Sequence, residues 1–191
     1  RDSSVFNGWF PLSRFQAMPT FMSAYEAGMS DNTVHCFSAA GIEFMVLALE
    51  FGPRDAVLRW AGNIVAAHPQ RRVIVLTHGY LNAYGERCNR TGAAMDHNPH
   101  NYGMGNCNDG EEMWETFIKQ HDNIDFVFCG HDGKPSHNNG DPAAHVVSVT
   151  PRGHTIHQMI ANYQYCPWES PDDGALRILR FNSVEKRMFV R

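Results

Sequence analysis

The stretch "VIVLTHGY" (residues 73–80) decides the fold, because it joins a strongly apolar run to a histidine. Five apolar or β-branched residues in a row favour a strand that is covered on both faces. Residues 126–133, "FVFCGHDG", repeat the arrangement, with a histidine at position 131. Ligands of parallel α/β sheets gather at the carboxyl ends of the strands. If these two strands are neighbours, His78 and His131 are predicted to share one crevice, as metal ligands or as hydrogen-bonded rim residues.

The segments before residue 73 predict a strand–helix–strand unit. Residues 33–50 form two apolar β runs broken by "AAG". A helix is predicted from Pro53, a favourable first helical position, to the residues before Pro69. Apolar residues recur there at helical spacing, namely Val57, Trp60, Ala61, Ile64 and Val65. The strands on either side of this helix are expected to be parallel.

The rest of the chain alternates a long loop, a helix and further strands. Residues 79–110 lack periodicity, and loops of this length are usually functional or disordered. The segment "NDGEEMWETFIKQH" predicts a helix capped by Asn108 or Asp109. After the strand "IDFVFCG", the runs "AHVVSVT", "HTIHQMIANYQ" and "GALRILRF" suggest antiparallel strands. The fold class is thus α/β, an α+β sandwich, in one domain over residues 1–191.

Composition excludes several classes of partner. The 191 residues are 43% hydrophobic with a net charge of −4, and the positive residues are scattered singly. No nucleic acid or anionic membrane is therefore expected as a partner. No apolar stretch approaches the roughly 20 residues of a membrane span, which predicts a soluble protein. A disulfide between Cys88 and Cys107 and glycosylation at Asn89 would suit a secreted or periplasmic protein; the alternative is a cytoplasmic one.

Three segments together resemble the calcineurin-like metallophosphoesterase family, in its bacterial and often secreted branch. They read "LEFGPRDAVLRWAGNIVAAHPQRRVIVLTHGYL", "NDGEEMWETFIKQHDNIDFVFCGH" and "IHQMIANYQ", and the resemblance extends from about residue 32 to 181. It implies part of a double β-sandwich flanked by helices, with two divalent metal ions (Mn, Fe, Zn or Mg) at the strand ends. It also implies a hydrolase that acts on phosphate mono- or diesters.

The resemblance assigns His78 to the family's fourth metal-binding block and His131 to the first histidine of the fifth, G-H-x-H. The first three blocks, D-x-H, G-D-x-x-D and G-N-H-(D/E), are absent from the sequence. It follows from the resemblance that the chain enters the family's sequence after the third block. Gly133 replaces the second histidine of the fifth block; the candidates to fill its role are Asp132, His137, His154 and His157, of which His157 is preferred.

On the substrate side, the resemblance implies that the 79–110 loop shapes a pocket for a small phosphate ester. Tyr80 and Tyr102 are predicted to contact that ester, although ordinary loop packing would also explain each of them. Gly79 and Gly130, beside the two histidines, would leave room for ions and substrate.

Three functional hypotheses follow. The first is a metal-dependent phosphoesterase whose site is incomplete in this chain. The second is a non-catalytic module that binds a single metal ion, a ligand or a partner chain. Self-association through an exposed sheet edge belongs to this second hypothesis. The third is an unrelated hydrolysis by another group of the 11 histidines, such as His97 and His100.

Overall fold

The computed structural model describes residues 2–91, 97–132, 143–163, 176–182, 184–185 and 187–190. Helices and strands follow in this order: α1 (Ser4–Trp9), α2 (Leu12–Gln16), β1 (Phe21–Ala24), β2 (Thr33–Ala39), β3 (Ile42–Ala48), α3 (Asp55–Ala67), β4 (Arg72–Leu76), α4 (Gly110–Thr116), β5 (Ile124–Cys129), β6 (Ala143–Val149), β7 (Thr155–Ala161), β8 (Leu179–Asn182) and β9 (Arg187–Val190). Two short 3-10 turns lie at Pro99–Tyr102 and Ile118–Gln120.

A seven-stranded mixed sheet forms the body, in the order β1-β2-β3-β4-β5-β7-β6. The four strands β3, β4, β5 and β7 run parallel, whereas β1, β2 and β6 are antiparallel to their neighbours. The predicted parallel unit of β3, α3 and β4 is confirmed, as is the mixed α/β class. Because β4 and β5 are parallel neighbours, the residues that follow them leave the sheet at the same edge.

Helix α3 covers one face of the sheet. It begins at Asp55, two residues later than predicted from Pro53. The buried side chains of α3 belong to one cluster with apolar residues of β3 and β4. These buried α3 residues are Val57, Leu58, Ala61 and Val65. Trp60 and Ile64 pack against the same cluster but keep some exposure. The face of α3 that packs against the sheet therefore overlaps the predicted apolar stripe, but its centre lies slightly further round the helix.

Helix α4 starts at a complete capping box. The Asp109 side chain accepts from the backbone of Glu112, and the Glu112 side chain accepts from the backbone of Asp109. This arrangement satisfies two backbone donors that the first turn leaves open. Gly110, the first residue of α4, lies very close to the chain after β4. A Cβ added to Gly110 would be 2.0 Å from the Tyr80 carbonyl oxygen.

The opposite face of the sheet carries aromatic side chains. Phe44 and Phe126 alternate with the core residues Met45 and Val127 along their strands, so they point away from α3. Phe181 of β8 packs against both, with ring centroids 6.2 Å from Phe44 and 5.2 Å from Phe126. The two-stranded sheet of β8 and β9 thereby covers part of this second face.

Cys88 and Cys107 are not joined to each other, so the structure does not contain the disulfide that would suit an exported protein. Each of the two thiols has its own surroundings. Cys107 Sγ lies 3.2 Å from His100 Nδ1, whereas Cys88 is buried in the neighbourhood of Asp109 and Asp132, and burial raises the pKa of its thiol to about 12. Cys166 lies outside the described residues. In the described part, helices are all too short or too polar to cross a membrane.

Candidate functional site

The structure brings His78 and His131 together at one edge of the sheet. β4 and β5 pair in parallel up to Leu76 and Phe128, and each histidine follows its strand by a short step. The backbone N–H of Gly130 donates to the His78 carbonyl at 3.0 Å, which ties the two strand ends to each other. The centroids of the two imidazoles are 4.7 Å apart. Adjacent parallel strands therefore place both rings in one crevice, as the sequence predicts.

Phe51 and Tyr102 enclose this pair. The Phe51 ring centroid lies 4.7 Å from that of His131 and 5.6 Å from that of His78. Tyr102, which is 50% exposed, places its hydroxyl 2.9 Å from His131 Nε2. Phe51 was not predicted as a site residue, although it follows β3, a parallel strand that ends at the same edge. That position in the sequence was the signal that could have found it.

Gly79 and Gly130, the glycines beside the two histidines, differ in how much space a side chain would find there. A Cβ on Gly79 would lie 2.6 Å from Cε2 of Phe51, so this glycine makes room for the Phe51 ring. A Cβ on Gly130 would meet only ordinary contacts, the nearest at 3.5 Å. The close approach of Gly79 is thus explained by a side chain of the protein itself.

His97 and Asp132 form the second half of the cluster. The His97 ring is perpendicular to that of His131, with centroids 5.6 Å apart. Asp132 is 4% exposed, and its Oδ2 accepts a hydrogen bond from Ala83 N at 3.0 Å. Its other oxygen, Oδ1, is buried, has no hydrogen-bond partner among the residues that the structure describes, and lies 4.0 Å from His97 Nε2. A buried carboxylate oxygen in this state is costly unless a cation is close.

The backbone is strained at two histidines, His97 and His131. His131 has φ +75° and His97 has φ +58°, in the left-handed region that side-chain-bearing residues rarely adopt. Each such conformation costs on the order of 1–3 kcal/mol and persists where the surroundings impose it. At His131 the surroundings include Asn162, whose side chain donates to the His131 carbonyl at 3.0 Å. This hydrogen bond helps to hold the turn that presents His131.

The electrostatic surroundings favour neutral imidazoles. Burial lowers the pKa of His131 to about 4, helped by the nearby His78 and His97, while Asp132 and a hydrogen bond with the His97 backbone act in the opposite direction. Partial burial also lowers the pKa of His78. Both rings are thus uncharged near neutral pH, which is the form that ligates metals.

His157 does not join this group. It lies in the middle of β7, paired with Phe126 of β5, five residues before His131. At about 3.3 Å per residue, this separation along the strand is roughly 16 Å. Its Nδ1 lies 3.0 Å from Nε2 of His145, and its ring stacks on Phe126 with centroids 5.7 Å apart. The physical reason is its register, which places it several residues before the end of its strand.

The remaining predicted residues are distributed as follows. Tyr80 is fully buried, and its hydroxyl donates to Gln158 Oε1 at 2.6 Å, so it offers no surface to a ligand. His154 has Nε2 2.9 Å from the Ile124 carbonyl, at the amino-terminal end of β5. His137 and Gly133 lie outside the described residues. Among the candidates for the missing ligand, Asp132 lies at the cluster.

A more compact group of donors lies at the start of α4. In the described part, His100, Asp109 and Glu112 form the group of three metal-type donors whose ligand atoms lie within 4.8 Å of one another. Its atoms already have partners in the protein. His100 Nε2 lies 2.7 Å from Glu112 Oε2, and Arg90 and Asn98 donate to the remaining carboxylate oxygens of Glu112 and Asp109. The capping role explains this group without an ion.

The donors of the His78 crevice are less closely grouped. Within the described ranges, no three metal-type donors that include His78 or His131 meet the 4.8 Å distance. A carboxylate that bridges two ions is therefore not in place among these residues. The described residues of the crevice therefore offer two neighbouring imidazoles and no compact set of ligands for a pair of ions.

Comparison with known proteins adds a distant relative. No protein-family model matches the chain. The uncharacterized protein YvnB of Bacillus subtilis (strain 168) is 24% identical over 203 residues, which cover 97% of this chain and 12% of that protein. The chain thus spans about an eighth of the length of this relative, whose name states no activity.

Proposed function

We propose that the protein is a metal-dependent phosphoesterase of the calcineurin-like type, and that this chain supplies the histidines of one metal position. The observation that carries the proposal is the 4.7 Å approach of the His78 and His131 rings at the ends of adjacent parallel strands. The segments that resemble the family include these same strands, with the helix that precedes each of them. The double β-sandwich of that family is part of the proposal.

The residues of this chain hold and orient the ion. Neutral imidazoles suit Zn, Fe and Mn better than Mg, which prefers oxygen ligands. Such an ion, when bound, supplies a Lewis acid that activates water and stabilises charge on a phosphate ester. Tyr102 stands at the exposed side of His131, where a small phosphate ester would approach. Secretion or a periplasmic location belongs to the same proposal.

A second candidate function is a non-catalytic module that binds a single ion, a ligand or a partner chain. It is favoured by the lack of a bridging carboxylate among the described residues near His78 and His131. The described part of the sheet also ends in an edge strand, β6, with Val147 51% and Val149 61% exposed. Such an edge would favour self-association. A single monomeric species in sedimentation at high protein concentration would remove that form of the module hypothesis.

The test is hydrolysis of p-nitrophenyl phosphate and bis(p-nitrophenyl) phosphate by the 191-residue chain and by the protein as its organism makes it. Each is assayed after chelation and after addition of Mn²⁺ or Zn²⁺. We expect hydrolysis of at least one ester by the natural protein, restored by metal and lowered at least 100-fold in His78→Ala and in His131→Ala. His145→Ala, which changes an exposed histidine of β6, is the matched control.

The outcomes separate the two candidates. Metal binding without hydrolysis of either ester, in both forms of the protein, would support the module and end the phosphoesterase proposal. Hydrolysis that survives chelation, or that persists in His78→Ala, would show that the activity does not belong to this crevice.

A further inference from the structure

We propose that Cys107 is a nucleophilic thiol, that His100 is the base that takes its proton, and that Glu112 orients this base. The inference uses none of the residues of the His78 crevice and does not depend on the proposed phosphoesterase. The reactant is a small disulfide, which exchanges with the thiol and leaves a mixed disulfide at Cys107.

The three side chains are linked in the order that activation of a nucleophile requires. Cys107 Sγ lies 3.2 Å from His100 Nδ1, and His100 Nε2 lies 2.7 Å from Glu112 Oε2. A nucleophile within hydrogen-bond reach of a base, which a third group orients, is the recurring arrangement of covalent catalysis. His100 therefore connects the thiol to the carboxylate through its two ring nitrogens.

The carboxylate of Glu112 decides which ring nitrogen of His100 carries a hydrogen. Burial raises the pKa of Glu112, but hydrogen bonds from the Asp109 backbone and from His100, with the charge of Arg90, hold it below its ordinary value overall. Glu112 is thus ionised at neutral pH and can only accept hydrogen bonds. Asp109 Oδ2 faces the same ring nitrogen at 3.9 Å. The hydrogen therefore lies on Nε2, and Nδ1 of the neutral ring is the acceptor that faces the thiol.

Contacts outside the triad fix the positions of the base and the thiol. The backbone N–H of His100 donates to Asn98 Oδ1 at 2.9 Å, and the Asn98 side chain donates to Asp109 Oδ2 at 3.0 Å. Asn108, which follows the cysteine, donates from its backbone and its side chain to the Pro53 carbonyl, at 3.0 and 2.9 Å. The contact between thiol and imidazole is therefore preorganised by the surrounding loop.

A cavity gives a small molecule access to the thiol. Cys107 is 7% exposed and lines an open cavity of about 440 Å³, together with His100, Glu112, Arg90 and Asp55. Cavities of this size hold small ligands. Because its wall carries charges of both signs, it does not select for a strongly charged molecule, and an uncharged disulfide is the suitable probe.

The surroundings of three other cysteines keep their thiols protonated. Burial raises the pKa of Cys88 and that of Cys129 to about 12 each, and burial also raises the pKa of Cys36. The thiolate is the reactive form of cysteine. These three thiols are therefore internal references of low reactivity for Cys107.

The exchange balances without a further reactant. The proton of the Cys107 thiol passes to His100 Nδ1, and the thiolate attacks one sulfur of the disulfide. A new S–S bond forms at Cys107 as the S–S bond of the reactant breaks, and the departing thiolate takes the proton from His100. Cys107 is oxidised, and the departing sulfur is reduced.

The experiment exposes the purified protein, in EDTA, to bis(2-hydroxyethyl) disulfide, stops samples with acid and locates the mixed disulfide by mass spectrometry of peptides. Near neutral pH we expect Cys107 to react about 10-fold or more faster than Cys88 and Cys129. Excess dithiothreitol should release the adduct, and Cys107→Ser verifies the assignment of the modified peptide.

Three variants test the base and its orientation. His100→Gln should slow the reaction of Cys107 about 10-fold or more near neutral pH, and much less at about pH 9.5, where hydroxide deprotonates the thiol. Glu112→Gln keeps a capping side chain at the start of α4 but removes the charge, and should slow the reaction about 3- to 10-fold. His145→Gln, at an exposed histidine of β6, is the matched control. Circular dichroism verifies that every variant is folded.

Each outcome decides the inference. A wild-type Cys107 that reacts no faster than Cys88 and Cys129 would overturn it, and this comparison needs no variant. An unchanged rate and pH profile in His100→Gln would overturn the assignment of the base, and an unchanged rate in Glu112→Gln the assignment of the orienting carboxylate. Fast exchange that depends on His100, in a protein that hydrolyses neither phosphate ester, would support the inference while ending the phosphoesterase proposal.

Discussion

At the scale of single residues, Tyr80 and Tyr102 show how one residue type in one loop takes two different positions. Tyr80 lies shortly after the end of β4 and turns into the core, where Gln158 Oε1 accepts a hydrogen bond from its hydroxyl. Tyr102 ends a 3-10 turn and reaches His131 from the solvent side. Both were predicted as substrate contacts because the sequence shows only that they lie in the loop. Burial, which depends on distant elements, separates them.

This difference predicts opposite effects of removing the hydroxyl. Tyr80→Phe should lower the free energy of unfolding by about 1–2 kcal/mol, because it takes a close donor from the buried Gln158. Tyr102→Phe should change it by less than about 0.5 kcal/mol, since that hydroxyl is exposed. Urea denaturation of both variants and the wild type measures the two effects. Equal stabilities for the two variants would contradict the assignment of Tyr80 to the core.

At the scale of elements, α4 shows which features periodicity and caps predict. The spacing of Asp109 and Glu112 predicts a helix start, and the structure has the full capping box there. The contact of Gly110 with the Tyr80 backbone is different, because it depends on how α4 docks against the chain after β4. Nothing in the local sequence indicates that contact.

Gly110→Ala should therefore be strongly destabilising. The added Cβ would lie 2.0 Å from the Tyr80 carbonyl oxygen, and backbone cannot move aside as a flexible side chain does. We expect a loss of about 3–5 kcal/mol in the free energy of unfolding, measured by denaturation. Gly8→Ala in α1, where a Cβ meets nothing within 4 Å, is the control and should be neutral or stabilising by up to about 1 kcal/mol. A Gly110→Ala variant as stable as the wild type would refute the close docking.

At the scale of the whole molecule, partly buried histidines couple stability to pH. Burial lowers the pKa of His35, which packs against Phe21, and of His121, which packs against Phe117. For His121, Arg152 also lowers the pKa, whereas Asp122 raises it. Above pH 6.5 both histidines are neutral in the folded and the unfolded chain. Below it the unfolded chain takes up protons first, so stability is lost as pH falls from about 6.5 toward the lower folded pKa values, and the loss levels off below them.

We therefore expect the free energy of unfolding to fall between pH 7 and pH 5. A shift of one pKa unit corresponds to about 1.4 kcal/mol, and partial exposure of both rings reduces the combined loss to on the order of 1 kcal/mol. The double variant His35→Gln/His121→Gln should reduce this dependence without abolishing it, because burial also lowers the pKa values of His78 and His131. Denaturation at several pH values gives both curves. Stability that is constant or rises toward pH 5 in the wild type would contradict the prediction.

The sequence by itself determined the strands β2 to β7, the helices α3 and α4 and the parallel unit, because apolar periodicity and capping residues act over short distances. It also placed His78 and His131 after the ends of two strands, and the pairing of those strands as parallel neighbours brings the two histidines to one edge of the sheet. Only the tertiary structure decided that Phe51, His97 and Asp132 join them and that His157 and Tyr80 do not. Those positions depend on strand register, on the path of the 79–110 loop and on which side chains the core buries. Each of these results from contacts between residues far apart in the chain, which local patterns do not encode.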